Sequence, residues 1–480
     1  MAQMVDALNG IIWSPALIYL CLGIGLYFSL KTRFLQVRHI KAMVMLLFGG
    51  KSSSEGITSF QAFALAVAGR VGTGNIAGVA TAIAMGGPGA VFWMWMIAFL
   101  GAGSAYVESV LAQVYKVEID GEYRGGPSYY IERGMGVKWY AILFAVATIV
   151  GMGFFLPGVQ SNAIGASINN AFGVSPVITG IFVCVLLGLI IFGGVKRLGR
   201  VAEMIVPFMA IAYIIVSVIV ILVNITKLPD VLSLIFSSAF GVNQAFGGII
   251  GSAISWGVKR GVYSNEAGQG TGPMAAAAAE VSHPAKQGLV QAFSVYFDTW
   301  FVCSATAFMV IITGSYNVHL GDGFIVEYLP GIDKGPAFTQ HAVDTLLPGF
   351  GSAFVAIALF FFAFTTLMAY YYYAETSIAY LFKKGPTRHT AINVIRVLLL
   401  VSVFYGTVRT ASLAWGLGDI GVGLMAWLNL IAIVIMRKTA FLTLTDYEEQ
   451  LAQGKDPVFD PVKLGIKNAD IWTKIGKNYK

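Results

Sequence analysis

Two twelve-residue segments of this chain, 70–81 and 260–271, repeat the same polar residues in the same order, 190 positions apart. Both are rich in glycine, which destabilises a helix by roughly 1 kcal/mol per residue and tolerates positive φ. An interrupted helix exposes main-chain N–H groups, which suit a carboxylate, and carbonyl groups, which suit Na⁺ or an ammonium. Five pairs of residues are identical when the segments are aligned: Arg70 and Arg260, Asn75 and Asn265, Ala77 and Ala267, Gly78 and Gly268, and Thr81 and Thr271.

The composition requires lipid around most of this chain. Its 480 residues are 57% hydrophobic and only 11% charged, whereas soluble domains carry about 25% charged residues. Open main-chain groups are tolerated in a bilayer only where they line a buried cavity. The matched interruptions therefore predict the substrate site of a secondary transporter, although glycine in membrane helices can also serve close helix packing.

Apolar stretches long enough to span a bilayer predict eleven transmembrane helices and an all-α polytopic membrane fold. We expect an extra N-terminal span and basic loop in residues 1–56, five-helix repeats in 57–225 and 245–436, and a tail in 437–480. Because the interrupted spans enter from opposite sides, the repeats are expected to be inverted (5+5). The predicted spans are 11–30, 57–84, 89–115, 138–170, 175–194, 201–224, 245–280, 287–314, 350–382, 390–408 and 411–436.

Basic residues predict the orientation of these spans in the cell membrane. Of the 31 Lys and Arg residues, 24 lie in the tail and the alternate loops that begin with 31–56, and only 3 lie in the opposite loops. Because positive charge accumulates in the cytoplasm, the N-terminus is expected outside and the C-terminus inside. The same distribution argues against a nucleic-acid surface. Within the tail, Thr445 and Glu448 predict a capping box that opens a short, solvated helix.

Several charged side chains fall inside predicted spans, where an unpaired charge is costly and marks a candidate functional group. The shared register suggests that Arg70 and Arg260 pair with Glu108 and Asp298, in a combination that the sequence leaves open. Either a structural ion pair or a gating or proton-linked role fits these residues. Lys259 and Glu266 lie in the same apolar surroundings.

The run Gly-Gly-Pro-Gly-Ala-Val-Phe-Trp-Met-Trp-Met at 86–96 resembles the signature of the alanine or glycine:cation symporter family. The resemblance extends over nearly the whole chain, through Gly-Thr-Gly-Asn at 72–75 and Ser-Asn-Glu-Ala-Gly-Gln-Gly-Thr at 264–271. It implies a leucine-transporter-like fold and uptake of alanine or glycine with Na⁺ as the coupling ion, without an organic cofactor.

The resemblance also implies site residues. Main-chain N–H groups of Thr73 and Gly74 would receive the substrate carboxylate, and Asn75 would serve the substrate or a second cation. Gln160, a polar residue of the fourth span, and Tyr263, Ser264 and Asn265 of the seventh span complete the candidate substrate site from the residues themselves, because the chain departs there from the leucine transporters, with no matching phenylalanine or tyrosine. The Na⁺ ligands would be the carbonyls of Ala68, Val71 and Phe362 with the hydroxyls of Thr365 and Thr366.

Three other functions are alternatives to Na⁺ symport. Proton coupling through Glu108, Glu266 or Asp298 is the nearest alternative. An ion channel is disfavoured, because filters are built from rings of several subunits and these two interruptions are inverted and non-identical. An enzyme would require a constellation of nucleophile, paired acids or metal ligands that we do not find. The sequence leaves the oligomeric state open.

Overall fold

The computed structural model describes residues 2–49, 53, 55–192, 194–321, 323–382 and 385–475, and it is 77% helical. Two short antiparallel hairpins, Val117–Ile119 with Glu122–Arg124 and Asn317–Leu320 with Gly323–Glu327, lie among the helices. The α-helices are Ala2–Ile12, Pro15–Lys31, Leu35–Arg38, Ile40–Leu47, Ser59–Arg70, Val79–Gly86, Gly89–Val114, Pro127–Tyr130, Lys138–Val150, Leu156–Phe172, Pro176–Ile191, Gly194–Val223, Leu228–Ala239, Ile250–Asn265, Gly272–Ala277, Pro284–Tyr296, Ser304–Ile312, Pro336–Asp344, Gly351–Leu381, Pro386–Thr407, Ala411–Ile435, Arg437–Ala452 and Trp472–Ile475.

Wider, π-helical turns occur at Gly74–Gly78, Ile131–Met135, Gly151–Phe155 and Phe297–Cys303, and short 3₁₀ turns at Ile225–Lys227 and Gly247–Ile249. Such π-helical turns are rare in proteins as a whole, and those that occur are often at functional sites. Two of them, Gly74–Gly78 and Phe297–Cys303, contact each other in the middle of the molecule.

Every stretch predicted to cross the membrane contains a helix. Within the described ranges, eight helices are long and apolar enough to span a bilayer, or nine if the bent pair Ser59–Arg70 and Gly74–Gly86 forms one span. The helix Pro176–Ile191 is apolar but shorter. Large apolar side chains such as Phe208 and Val397 point outward, 70% and 60% exposed, as expected for a surface that faces lipid.

The first broken helix consists of Ser59–Arg70, a turn, and Gly74–Gly86, with a bend of 50° between the two pieces. Thr58 and Gln61 form a capping box at its start, which satisfies two main-chain N–H groups of the first turn. Val71 ends the first piece with ψ near 89°, outside the helical range. The glycine-rich interruption expected from the sequence is therefore present.

The second broken helix consists of Ile250–Asn265 and Gly272–Ala277, separated by a loop of six residues. Glu266 ends the first piece in the left-handed conformation, with φ of 55°. Gly268 and Gly270 also have positive φ, which glycine adopts without the steric cost that other residues meet. Helix packing explains other glycines here, because a Cβ on Gly257 would lie 2.5 Å from the carbonyl oxygen of Ala90.

The tail, residues 437–475, covers one face of the bundle. Its helix runs over Arg437–Ala452, and Thr445 lies in its interior, where the hydroxyl donates to the Phe441 carbonyl. The predicted capping box with Glu448 and the solvated face are wrong. Tyr447 and Trp472 are only 2% and 1% exposed, because Tyr447 packs against the rings of His39 and His283, and Trp472 packs against Phe459 and donates to the Gln113 carbonyl.

Candidate functional site

Side chains hold the first interruption open in a defined conformation. The amide of Gly72 donates to Asn75 Oδ1 at 2.9 Å, and the amide of Thr73 donates to Gln160 Oε1 at 3.0 Å. Gln160 is contributed by Leu156–Phe172, so a second helix takes part in the turn. Two main-chain donors that a continuous helix would satisfy are therefore available to polar acceptors at this turn.

Four of the five residues predicted to bind Na⁺, which are Ala68, Val71, Phe362 and Thr366, come together around the Thr366 hydroxyl. Thr366 Oγ1 lies 2.8 Å from the carbonyl oxygen of Ala68, 2.9 Å from that of Phe362 and 3.4 Å from that of Val71, so its single hydrogen has three alternative acceptors. Thr365 Oγ1 lies 3.0 Å from the Phe362 carbonyl oxygen. Carbonyls of a broken helix and hydroxyls of Gly351–Leu381 thus converge, and unwound carbonyls are the ligands that transporters use for Na⁺.

The cluster is buried and closely packed. Thr365 and Thr366 are fully buried, and a Cβ on Gly72 would lie 2.4 Å from Thr366 Oγ1. Only glycine fits at that position without moving the hydroxyl. Within the described ranges no group of three or more His, Cys, Asp or Glu side chains could hold a metal ion, so neutral oxygens are the available ligands at this cluster.

Asn75 and Ser264, one from each broken helix, meet on the same carboxylate. Asn75 Nδ2 donates to Asp298 Oδ1 at 2.6 Å, and Ser264 Oγ donates to the same atom at 3.1 Å. Cys303 Sγ lies 3.3 Å from both the amide nitrogen and the hydroxyl. The sequence pointed to Asp298 as an intramembrane charge but missed this role, and it gave no signal for Cys303.

The remaining predicted substrate residues lie around this point at different positions. A Cβ on Gly74 would lie 3.1 Å from the Cα of Ser264, so the two broken helices touch there. The ring of Tyr263 packs on that of Trp415, with ring centres 4.9 Å apart. Asn265 points elsewhere and donates to Thr299 Oγ1 at 3.2 Å.

The predicted pairing of Arg260 with Glu108 or Asp298 is wrong. Arg260 donates to both carboxylate oxygens of Asp419, at 2.8 and 3.1 Å, and Lys259 contacts Asp419 at 2.7 Å. A planar guanidinium suits such a two-point contact. Sequence reasoning overlooked Asp419, although an acid in the apolar stretch 411–436 was the available signal.

Arg70 is also not paired as predicted. Its guanidinium donates to the Gln291 carbonyl and the Ser294 hydroxyl. Within the described ranges it forms no ion pair closer than 4.0 Å. Glu108 is instead bound by the amide of Gly268 and the side chain of Asn429.

A protein-family model for the sodium:alanine symporter family matches residues 1–461. The chain belongs to this family. It is 65% identical to YrbD of Bacillus subtilis (strain 168), a candidate sodium/proton-dependent alanine carrier by its name, over 99% of this chain and 98% of the relative. It is 55% identical to the sodium/proton-dependent alanine carrier protein of Bacillus sp. (strain PS3), over 90% of this chain and 97% of the relative.

A solved structure shares the fold of this family member. The structure of a Na⁺-coupled sialic acid symporter matches 98% of this chain and 97% of its own, with a TM-score of 0.52 and 11% sequence identity. At that identity the match concerns the fold alone. It is membership of the sodium:alanine symporter family, and not this structural match, that makes the chain a multi-pass membrane transporter and not an enzyme.

Proposed function

We propose that this symporter imports alanine, and also glycine, together with Na⁺ by alternating access. The observation that carries the proposal is the convergence of Ala68, Val71 and Phe362 carbonyl oxygens on the Thr366 hydroxyl. Family membership and relatives named as alanine carriers support the choice of substrate. The close approach of Gly74 to Ser264 supports the choice of a substrate with a small side chain.

In this proposal the substrate and Na⁺ bind on different sides of the first interruption. The substrate carboxylate replaces Gln160 as the acceptor of the Thr73 amide and uses the Gly74 amide, where the positive end of a half-helix favours an anion. Asn75, Tyr263, Ser264 and Asn265 surround the rest of the substrate. Na⁺ takes the carbonyls of Ala68, Val71 and Phe362 with the hydroxyls of Thr365 and Thr366.

Coupling follows from this geometry. Na⁺ ties Ser59–Arg70 to Gly351–Leu381, and this contact fixes the turn that presents the N–H groups to the substrate. Each ligand therefore favours the same closed arrangement, so each must raise the affinity for the other by the same factor. The proposal includes eleven spans with a 5+5 inverted repeat, an N-terminus outside and a C-terminus in the cytoplasm, supported by the helices in every predicted stretch and the basic loops.

The Thr366 hydroxyl provides the direct test. We expect Thr366→Val to weaken the apparent Na⁺ affinity of alanine uptake into proteoliposomes by about tenfold or more, which corresponds to roughly 1.4 kcal/mol. Thr366→Ser keeps the hydroxyl and should stay near wild type. Thr390→Val is the matched control, because Thr390 makes the same contact with a carbonyl four residues earlier but is exposed.

Uptake that is equal in Na⁺ and choline media would refute the coupling. A wild-type Na⁺ dependence in both Thr366→Val and Thr365→Val would leave coupling intact but remove the cation from this cluster.

A further inference from the structure

The second interruption buries an acid in an unusual main-chain conformation. Glu266 is 1% exposed and has φ of 55°, a conformation that costs residues other than glycine about 1–3 kcal/mol and is concentrated at functional sites. It closes the first piece of the broken helix, with its amide donating to the Val262 carbonyl. A glycine would adopt this conformation more easily, so the side chain itself requires an explanation.

Only one of the two carboxyl oxygens of Glu266 is hydrogen-bonded. Oε2 accepts from Thr271 Oγ1 at 2.8 Å, whereas Oε1 has no hydrogen-bond partner among the described residues. The hydroxyl of Tyr373 is likewise buried and unpartnered there. Both groups face Gly69, whose absent Cβ would lie 3.2 Å from Glu266 Oε2 and 2.5 Å from Tyr373 Oη.

The two neighbouring intramembrane acids are different, because hydrogen-bond donors reach both of their oxygens. Glu108 accepts from the Gly268 amide on one oxygen and from Asn429 on the other. Asp298 accepts from Asn75 and Ser264 on Oδ1 and from Thr299 on Oδ2. Donors on every oxygen stabilise an ionised carboxylate. Glu266 lacks that environment.

The charges around Glu266 do not balance. Glu108, Glu266 and Asp298 all interact with a single cation, Arg70, and Glu266 forms no ion pair within 4.0 Å in the described part of the chain. A buried excess of negative charge in a membrane is costly. The titratable groups that face Glu266 from its own helix and from the packed elements are Arg70, Glu108, Tyr263, Asp298, Tyr370 and Tyr373.

A proton neutralises the negative charge of Glu266 with less disturbance of the surrounding packing and charges than Na⁺ would cause. The guanidinium of Arg70 lies at the end of the same loop, where a Cβ on Gly272 would be 2.5 Å from Arg70 Nη2. A metal cation beside Glu266 would face that positive charge. A proton on Oε1 needs no additional volume, and that oxygen accepts no hydrogen bond among the described residues.

We propose that Glu266 is a proton-binding site of the transport cycle, protonated while the two broken helices are packed together and ionised when the second interruption opens to water. This inference rests on the proposed alanine symport and adds a second ligand to it. Because the proton favours the closed arrangement, alanine should bind more tightly as the pH falls. The effect is separate from the Na⁺ ligands, none of which contacts Glu266.

The test measures alanine binding to purified protein at saturating Na⁺ between pH 5.5 and 9. We expect the wild-type dissociation constant to rise by about fivefold or more across this range, the lower end of typical coupling between sites. Glu266→Gln should bind alanine at every pH as tightly as the wild type does at low pH. Glu266→Asp retains an ionisable group and should retain a pH dependence.

Glu108→Gln and Asp298→Asn are the comparison variants, and both should keep the slope with pH even if they bind alanine more weakly. Exposed Glu449→Gln controls for surface charge. A flat wild-type profile, an unchanged slope in Glu266→Gln, or loss of the slope in Glu108→Gln or Asp298→Asn would overturn the assignment. Loss of Na⁺-dependent binding at every pH in the wild type would instead refute the proposed function.

Discussion

The first broken helix crosses its interruption in three residues, whereas the second requires six. At the first interruption, the side-chain oxygens of Asn75 and Gln160 accept hydrogen bonds from the main-chain N–H groups of Gly72 and Thr73. The second uses positive φ at Glu266, Gly268 and Gly270. Two segments with five identical residues in register therefore differ in conformation: the first is a tight turn closed by side-chain amides, and the second is a longer loop that contains an acid.

The two repeated arginines also differ, because only one of them forms an ion pair. Arg260, before the second interruption, is anchored by Asp419 on a neighbouring helix. Its counterpart Arg70 is held by neutral oxygens. A repeated residue thus keeps its place in the sequence but not its partner. The first piece of the second broken helix is fixed by an ion pair, whereas that of the first is held by hydrogen bonds to neutral groups.

The largest effect is expected at the first interruption. Gly72→Ala places a Cβ 2.4 Å from Thr366 Oγ1 and 2.9 Å from Gln160 Oε1, so it should abolish Na⁺-dependent alanine binding at concentrations that saturate the wild type. Gly251→Ala is the control, because nothing lies within 4 Å of its added Cβ. Normal binding by Gly72→Ala would show that this turn does not bind the substrate and Na⁺ as proposed.

A smaller but substantial effect is expected at the anchor of the second broken helix. Asp419→Asn leaves Arg260 and Lys259 without a counter-charge and should lower the stability to unfolding by about 3–5 kcal/mol, measured in detergent. Asp456→Asn is the matched control, since Asp456 pairs with Lys286 while 77% exposed and such pairs contribute about 0–1 kcal/mol. Equal losses in the two variants would contradict the contrast between the broken helices.

The smallest effect concerns the tail beneath the second broken helix. His283 Nε2 lies 3.2 Å from Asp446 Oδ2, and burial lowers the pKa of His283. The stability that depends on neutral His283 is present above the unfolded-state pKa of about 6.5 and is lost as the pH falls below it.

The wild-type unfolding temperature should therefore fall between pH 8 and pH 5.5, and by less in His283→Asn, which retains an acceptor for the Ala285 amide. Exposed His389→Asn should behave like wild type. An identical pH response in all three proteins would remove His283 as the cause.

Apolar lengths and glycine spacing predict where the helices lie and where two of them break. The sequence and the family resemblance together predict the residues that meet at Thr366, since main-chain carbonyls follow from the position of a break. The π-helical turns Gly74–Gly78 and Phe297–Cys303 could not be predicted, because such turns depend on tertiary partners. The Asp419 partner of Arg260 depends on how distant helices cross, which a shared register does not reveal.

One backbone contact joins the segment just before the first broken helix to the segment just after the second. Ile57 donates its amide to the Ala278 carbonyl at 3.0 Å, and Glu280 donates its amide to the Ile57 carbonyl at 2.9 Å. A protected amide exchanges its hydrogen for deuterium only when its bond opens. Deuterium uptake at these two amides would therefore time the separation of these two segments, without labels or substitutions, in the presence or absence of each solute.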